Sequence, residues 1–107
     1  MSELLEVIRR LVGAGDVRIS DHGYDELSHD EIRVRDVLAG VSEAEVLEDY
    51  PDFPKGPSVL VLQSDSESSP IHVVWGIPKG RSGPAVLVTA YRPDPKRWSA
   101  DFRERAK

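Results

Sequence analysis

His72 lies in PIHVVWG, a stretch that reads as a strand, and Thr89, Tyr91 and Arg92 lie at the end of a second one, AVLVTAYR. An imidazole, a phenol, a hydroxyl and a guanidinium gathered in one place would suit proton transfer and the holding of an oxyanion. His22, in DHGYDEL, supplies a second imidazole, the side chain that exchanges protons around neutral pH. Register decides whether the strand residues meet: if paired residue numbers across the hairpin sum to an odd value, His72 shares a face with Thr89, and an even sum separates them. Each residue also has a plainer reading. His72 reads equally as a hydrogen-bonded core histidine, Thr89 as a strand former, and Tyr91 as a half-buried aromatic with a wet hydroxyl. His22 taken alone reads as an exposed or helix-end residue, His29 as surface, and Trp75 and Trp98 as core or rim aromatics rather than base-stacking platforms. Gly76, on the face of His72, would leave room for a ligand.

Several chemistries find no support. The chain has no cysteine, hence no thiolate nucleophile, disulfide or thiolate metal site. HExxH and HxH are absent, and Asp21 with Asp25 reads as a solvated helical face, so no metal and no cofactor are expected. There is no GxSxG elbow, and the loop around Gly80 and Gly83 lacks P-loop spacing. The net charge of −5 opposes a polyanionic partner, because phosphate binding is driven by Lys and Arg. Yet residues 1–70 carry −10 and residues 71–107 carry +5, which leaves an anion-binding patch open beside plain solvated surface.

The elements that must position these residues follow from periodicity. Glu3 to Val12 reads as an amphipathic helix capped by Ser2, with Leu4, Leu5, Ile8, Leu11 and Val12 as its stripe and Gly13 at its end. Asp16 to Ile19 is a short extended link. Ser20 or Asp21 caps a second helix whose core-directed residues are Tyr24, Leu27 and Ile32, and Asp30 or Arg33 opens a third through Val41. Strands follow at Ala44 to Tyr50, Ser58 to Gln63, Ile71 to Ile77 and Ala85 to Tyr91, the first two joined by the loop PDFPKGP. Trp98 to Ala106 reads as a short basic helix. The expected fold is α+β: N-terminal helices packed on one face of a mainly antiparallel four-stranded sheet, with a short C-terminal helix, in one domain of 107 residues. No apolar run approaches a membrane span, and the N-terminus lacks a signal-peptide core, so a cytoplasmic location is expected.

Taken together and in order, DHGYDEL, EDYPDFPKGPSVLVL, IHVVWG and VTAYRPDPKRW resemble the bacterial family called domain of unknown function 4258, across roughly Val17 to Trp98. The resemblance implies a single RelE-like domain over residues 1–107, similar to RelE-like and barnase-like small ribonucleases, some encoded near antitoxin-like partners. His22 matches the family's helix histidine, His72 its strand histidine, and Thr89 and Tyr91 its T-x-Y element. One position departs: Glu26 stands where the family commonly has an arginine, and a glutamate would repel phosphate. On this footing the expected function is a toxin-type ribonuclease that works without a metal. His22 and His72 would serve as base and acid in either order, Tyr91 would position or donate, and Thr89, Arg92, Lys96 and Arg97 would hold RNA phosphate. RNA and an antitoxin-like protein are the expected partners. The alternative is a non-catalytic protein-interaction module of the same fold, favoured by the acidic helices and Glu26. A small-ligand binder at the open sheet face is a third reading.

Overall fold

A hydroxyl at the right distance starts the first helix. In the computed structural model, which describes residues 2–106, α1 (Glu3–Gly13) begins where Ser2 Oγ accepts the Leu5 amide at 3.2 Å. Glu3 and Glu6 occupy its first turn and Arg10 its last, as the helix dipole favours. Leu5 and Ile8, one turn apart, are its fully buried positions.

Five strands follow: β1 (Val17–Ile19), β2 (Glu45–Tyr50), β3 (Ser58–Ser64), β4 (Pro70–Gly76) and β5 (Ala85–Tyr91). They form one sheet in the order β1-β5-β4-β3-β2. The expected four-stranded, mainly antiparallel sheet is therefore corrected to a mixed sheet of five, because β1 pairs parallel with β5, Val17 opposite Ala85 and Ile19 opposite Leu87. Three residues show too little alternation to read as a strand. The chain between Ile19 and Ala85 includes the rest of the sheet, ample length for the crossover a parallel pair needs.

Two helices cover one face. Ile71, Val73 and Trp75 of β4 and Val59 and Val61 of β3 point toward α1 and α3 (Val34–Gly40), where they meet Leu5, Ile8 and Val37 in a continuous buried cluster. The one polar intrusion is satisfied: Trp75 Nε1 donates to Gln63 Oε1 at 2.9 Å, and Gln63 Nε2 donates to the Val37 carbonyl at 2.9 Å. That relay ties the sheet to the end of α3.

α2 (Asp21–His29) takes a different position, alongside β5 beyond the end of β1. Ser20 caps it by accepting the Gly23 amide at 2.9 Å and donates its own hydroxyl to the Val88 carbonyl at 2.8 Å. Gly23 and Leu27 face inward, and a Cβ on Gly23 would stand 2.8 Å from the Leu87 carbonyl oxygen, so glycine is what lets helix and strand approach. Tyr24, expected in the core, is instead 55% exposed, since that inward position belongs to its neighbour.

The segment after β5 is not a helix, contrary to expectation. Residues 93–106 form turns closed by an isolated bridge between Trp98 and Arg105, and they cross the sheet face that α1 and α3 leave open. Side chains divert the backbone: Asp101 Oδ1 accepts the Arg103 amide, Ser99 Oγ accepts the Glu104 amide, and Phe102 takes a left-handed φ of 61°. Among the described residues, no helix is long and apolar enough to cross a membrane.

Candidate functional site

Register places the chemistry-bearing strand residues. His72 pairs with Tyr91 and Val74 with Thr89, an odd sum, so His72, Thr89 and Tyr91 share the face opposite α1 and α3. A bulge then shifts the pairing to Trp75 with Leu87, and the Val88 carbonyl at this irregularity is the one bonded by Ser20.

His72 is wholly buried beneath the C-terminal strap, residues 93–106. Its ring meets Trp98 edge-on with centroids 4.4 Å apart and Tyr91 at 5.3 Å. Nε2 lies 2.9 Å from the Phe102 carbonyl and Nδ1 3.2 Å from the Tyr91 hydroxyl. A carbonyl only accepts, so Nε2 carries the proton and Nδ1 accepts from Tyr91. Burial holds the His72 pKa below the ordinary histidine value; the Phe102 carbonyl opposes this, Arg105 adds to it and Glu48 opposes it. Burial likewise raises Tyr91. The ring is therefore neutral with both nitrogens engaged, which suits an anchor.

The strap is fastened across β2. Arg103 makes paired bonds to Glu45 at 2.7 and 2.9 Å, and Arg105 to Glu48 at 2.8 and 2.9 Å, while the Arg105 guanidinium lies 4.8 Å from the Trp98 ring centroid. Glu45 and Glu48 are three residues apart, which on a regular strand puts them on opposite faces. The bulge between Val46 and Glu48 restores them to one side, opposite Leu62 and Leu60. Arg105's hydrogen bonds keep the Glu48 carboxyl below its usual range.

At the other end of the same face lies a cleft of about 440 Å³. Gly76, Val86 and Val88 contribute to its lining from the sheet; Arg18, Ser20 and His22 stand on one side, and Phe53, Lys55 and Ser58 on the other. Its second wall is rigid by construction. Gly56 has φ 135°, and a Cβ there would fall 1.9 Å from the Ile77 carbonyl oxygen. Lys55 O accepts the Lys79 amide at 2.9 Å and Pro57 O accepts the Ile77 amide at 3.1 Å, fixing the loop against the β4 end, while Phe53 O accepts the Gly56 amide at 2.9 Å within it. Ser58 Oγ donates to the Gly56 carbonyl, and a Cβ on Gly76 would reach 2.8 Å from that hydroxyl, so the room expected at Gly76 is taken up by Ser58.

The structure thus brings His72 together with Tyr91, and keeps His22 apart from both. Gly76 is four residues from His72 along β4, roughly 13 Å at strand rise. His22 is exposed at the cleft, with Glu26 Oε1 3.8 Å from its Nε2. Arg92 is occupied elsewhere: its guanidinium meets Asp65 at 3.1 Å and the Asp30 carbonyl, and its amide donates to Asp30 at 2.8 Å, joining the end of α2 to the β3–β4 turn. Lys96 and Arg97 are exposed on the strap and line no part of the cleft, and Thr89 is half-buried beside Val74. Arg18, Phe53 and Lys55 escaped the sequence reading. The signal was present in DFPKG, an aromatic and a cation held between prolines, but it reads first as loop punctuation.

Chemically the cleft offers two cations, an exposed imidazole and an exposed aromatic, a set suited to anions attached to planar rings, while the Ser20 and Ser58 hydroxyls donate to backbone carbonyls. Among the described residues Arg18 and Lys55 have no carboxylate within ion-pairing distance, and no three His, Asp or Glu side chains gather as a metal site. A family profile described as Domain of unknown function (DUF4258) matches residues 19–92, a span holding His22, the Phe53–Ser58 wall, His72 and Tyr91. No curated protein and no solved structure matches the chain.

Proposed function

The chain belongs to the DUF4258 family over residues 19–92, and from that premise we propose that it is a RelE-like, toxin-type ribonuclease of bacterial kind whose reacting site is the cleft. The observation that carries the reading is the convergence of His22, Arg18 and Lys55 around a concave lining that includes Val86 and Val88. In this scheme His22 removes the proton of a ribose 2′-hydroxyl, the 2′-oxygen forms a bond to phosphorus, and the P–O5′ bond breaks. The 5′-oxygen takes a proton from water and a 2′,3′-cyclic phosphate remains. Arg18 and Lys55 neutralise the charge that grows on the phosphoryl oxygens. His72 and Tyr91 act as the anchor of the strap instead of as acid and base. An antitoxin-like protein is the proposed partner of such an enzyme.

Cleavage of single-stranded and ribosomal RNA by the full chain tests this reading. His22→Ala is expected to lose about 100-fold or more of the activity, the usual contribution of a general base; activity unchanged in that variant overturns the assignment. A second reading, a non-catalytic interaction module of the same fold, is favoured by one observation: with both His72 nitrogens engaged, the cleft has a single imidazole and lacks an acid–base pair. RNA bound but left intact by the wild-type chain selects that reading.

A further inference from the structure

Phe53 is unusual among the large apolar side chains in standing 45% exposed, and it does so in the wall of the cleft. Keeping a phenyl ring in water forfeits burial, and nothing about the loop forces it to be mobile. The Lys55 and Pro57 carbonyls accept the Lys79 and Ile77 amides beyond the β4 end, and Phe53 O accepts the Gly56 amide within the loop, so the ring is presented from a fixed frame. Across from it stand Arg18 and His22, and beside it Lys55. The volume, about 440 Å³, falls in the range of sites that enclose a small-molecule-sized group.

We propose that the cleft seats one unpaired nucleotide of a single-stranded RNA, the base stacked on Phe53 and its flanking phosphates held by Arg18 and Lys55. This rests on reading the cleft as an RNA site and adds which form of RNA enters. A base in a duplex has both faces covered by its neighbours and offers none to a phenyl ring, whereas an unpaired base presents one whatever its identity. Duplex recognition would call for cations spread along a face, and residues 1–70, which supply both walls up to Ser58, carry a net −10. Long-range attraction is thus weak, and affinity must come from a few local contacts. Two neutralised phosphates give a salt slope of about −1.4 for a single strand, so affinity falls only about sevenfold between 50 and 200 mM salt.

The test is fluorescence anisotropy of the full chain with a labelled single-stranded RNA oligonucleotide, a blunt-ended duplex of that strand with its complement, and adenosine monophosphate as competitor. Expected are binding of the single strand, at least tenfold weaker binding of the duplex, and roughly tenfold or greater weakening by Phe53→Ala with retention in Phe53→Tyr. Phe53 being exposed, circular dichroism should show the variants folded. Equal binding of strand and duplex, or wild-type affinity in Phe53→Ala, overturns this inference and leaves the RNA-site reading standing. Micromolar competition by the mononucleotide with the same dependence on Phe53 overturns it in favour of a free nucleotide ligand. No binding of any RNA by the wild-type chain overturns both the inference and the reading beneath it.

Discussion

Replacing His72 by alanine should unlatch the strap and destabilise the whole domain. The side chain is wholly buried, bonds Tyr91 at 3.2 Å and Phe102 at 2.9 Å, and packs edge-on against two rings. Each hydrogen bond contributes about 1 kcal/mol net. Each edge-to-face contact contributes about 0.5–1.5 kcal/mol. The total is about 3–5 kcal/mol, which at roughly 4 °C per kcal/mol for a domain of this size lowers Tm by about 12–20 °C. Denaturant unfolding followed by tryptophan fluorescence and circular dichroism reads this directly. Tyr91→Phe should cost about 1 kcal/mol, and the double mutant should cost less than the sum, since the two share one bond. A His72→Ala variant within about 0.5 kcal/mol of wild type, with Trp98 still shielded, would show that His72 does not latch the strap, because that is the range of a surface substitution.

Acidification should weaken the fold through the same residue. Burial depresses the His72 pKa, so the unfolded chain takes up a proton near the ordinary pKa of about 6.5 while the native one resists. Stability is then full above about pH 6.5 and is lost as pH falls from there through the depressed native value. His29, raised by its bond to Asp30, acts with the opposite sign, losing its contribution as pH rises, but its side chain is 82% exposed and screening keeps that small. Urea titrations from pH 7.5 to 5.5 should therefore slope in wild type and flatten in His72→Gln. Gly56→Ala should cost about 3 kcal/mol or more, since a left-handed position and a backbone clash combine there, and thermal melting checks it. Arg105→Ala should cost less than about 1 kcal/mol and the loss should shrink in high salt, as for other exposed pairs; amide hydrogen exchange at Ala106, which donates to the Arg97 carbonyl, should nonetheless speed up.

The legible parts of the fold were those with long periodicity or strong punctuation. The α1 stripe, the Ser2 cap, the central run Val59 to Leu62 and the final hairpin all carry their own signals, and the structure places them as their patterns imply. β1 was lost because Val17–Ile19 is held by the β5 backbone, and backbone pairing leaves no mark on so short a stretch. The strap misread as a helix for a related reason: Asp101 and Ser99 divert its amides, and Trp98 follows the His72 ring. At the site, sequence singled out imidazoles by type, and type alone could not tell a saturated His72 from an exposed His22. Bulges at Val88 and Leu47 settle which side chains share a face, and a bulge is a register event between distant strands.

On the proposed function, RNA meets the His22 end of the open face and leaves the His72 end untouched. Amide chemical-shift mapping of the full chain titrated with a short single-stranded RNA tests it most directly. Perturbations gathered at Arg18, His22, Phe53, Lys55 and Gly76, with His72, Tyr91 and Phe102 still, are the predicted result; shifts centred on His72 and the strap, or none anywhere, would contradict it.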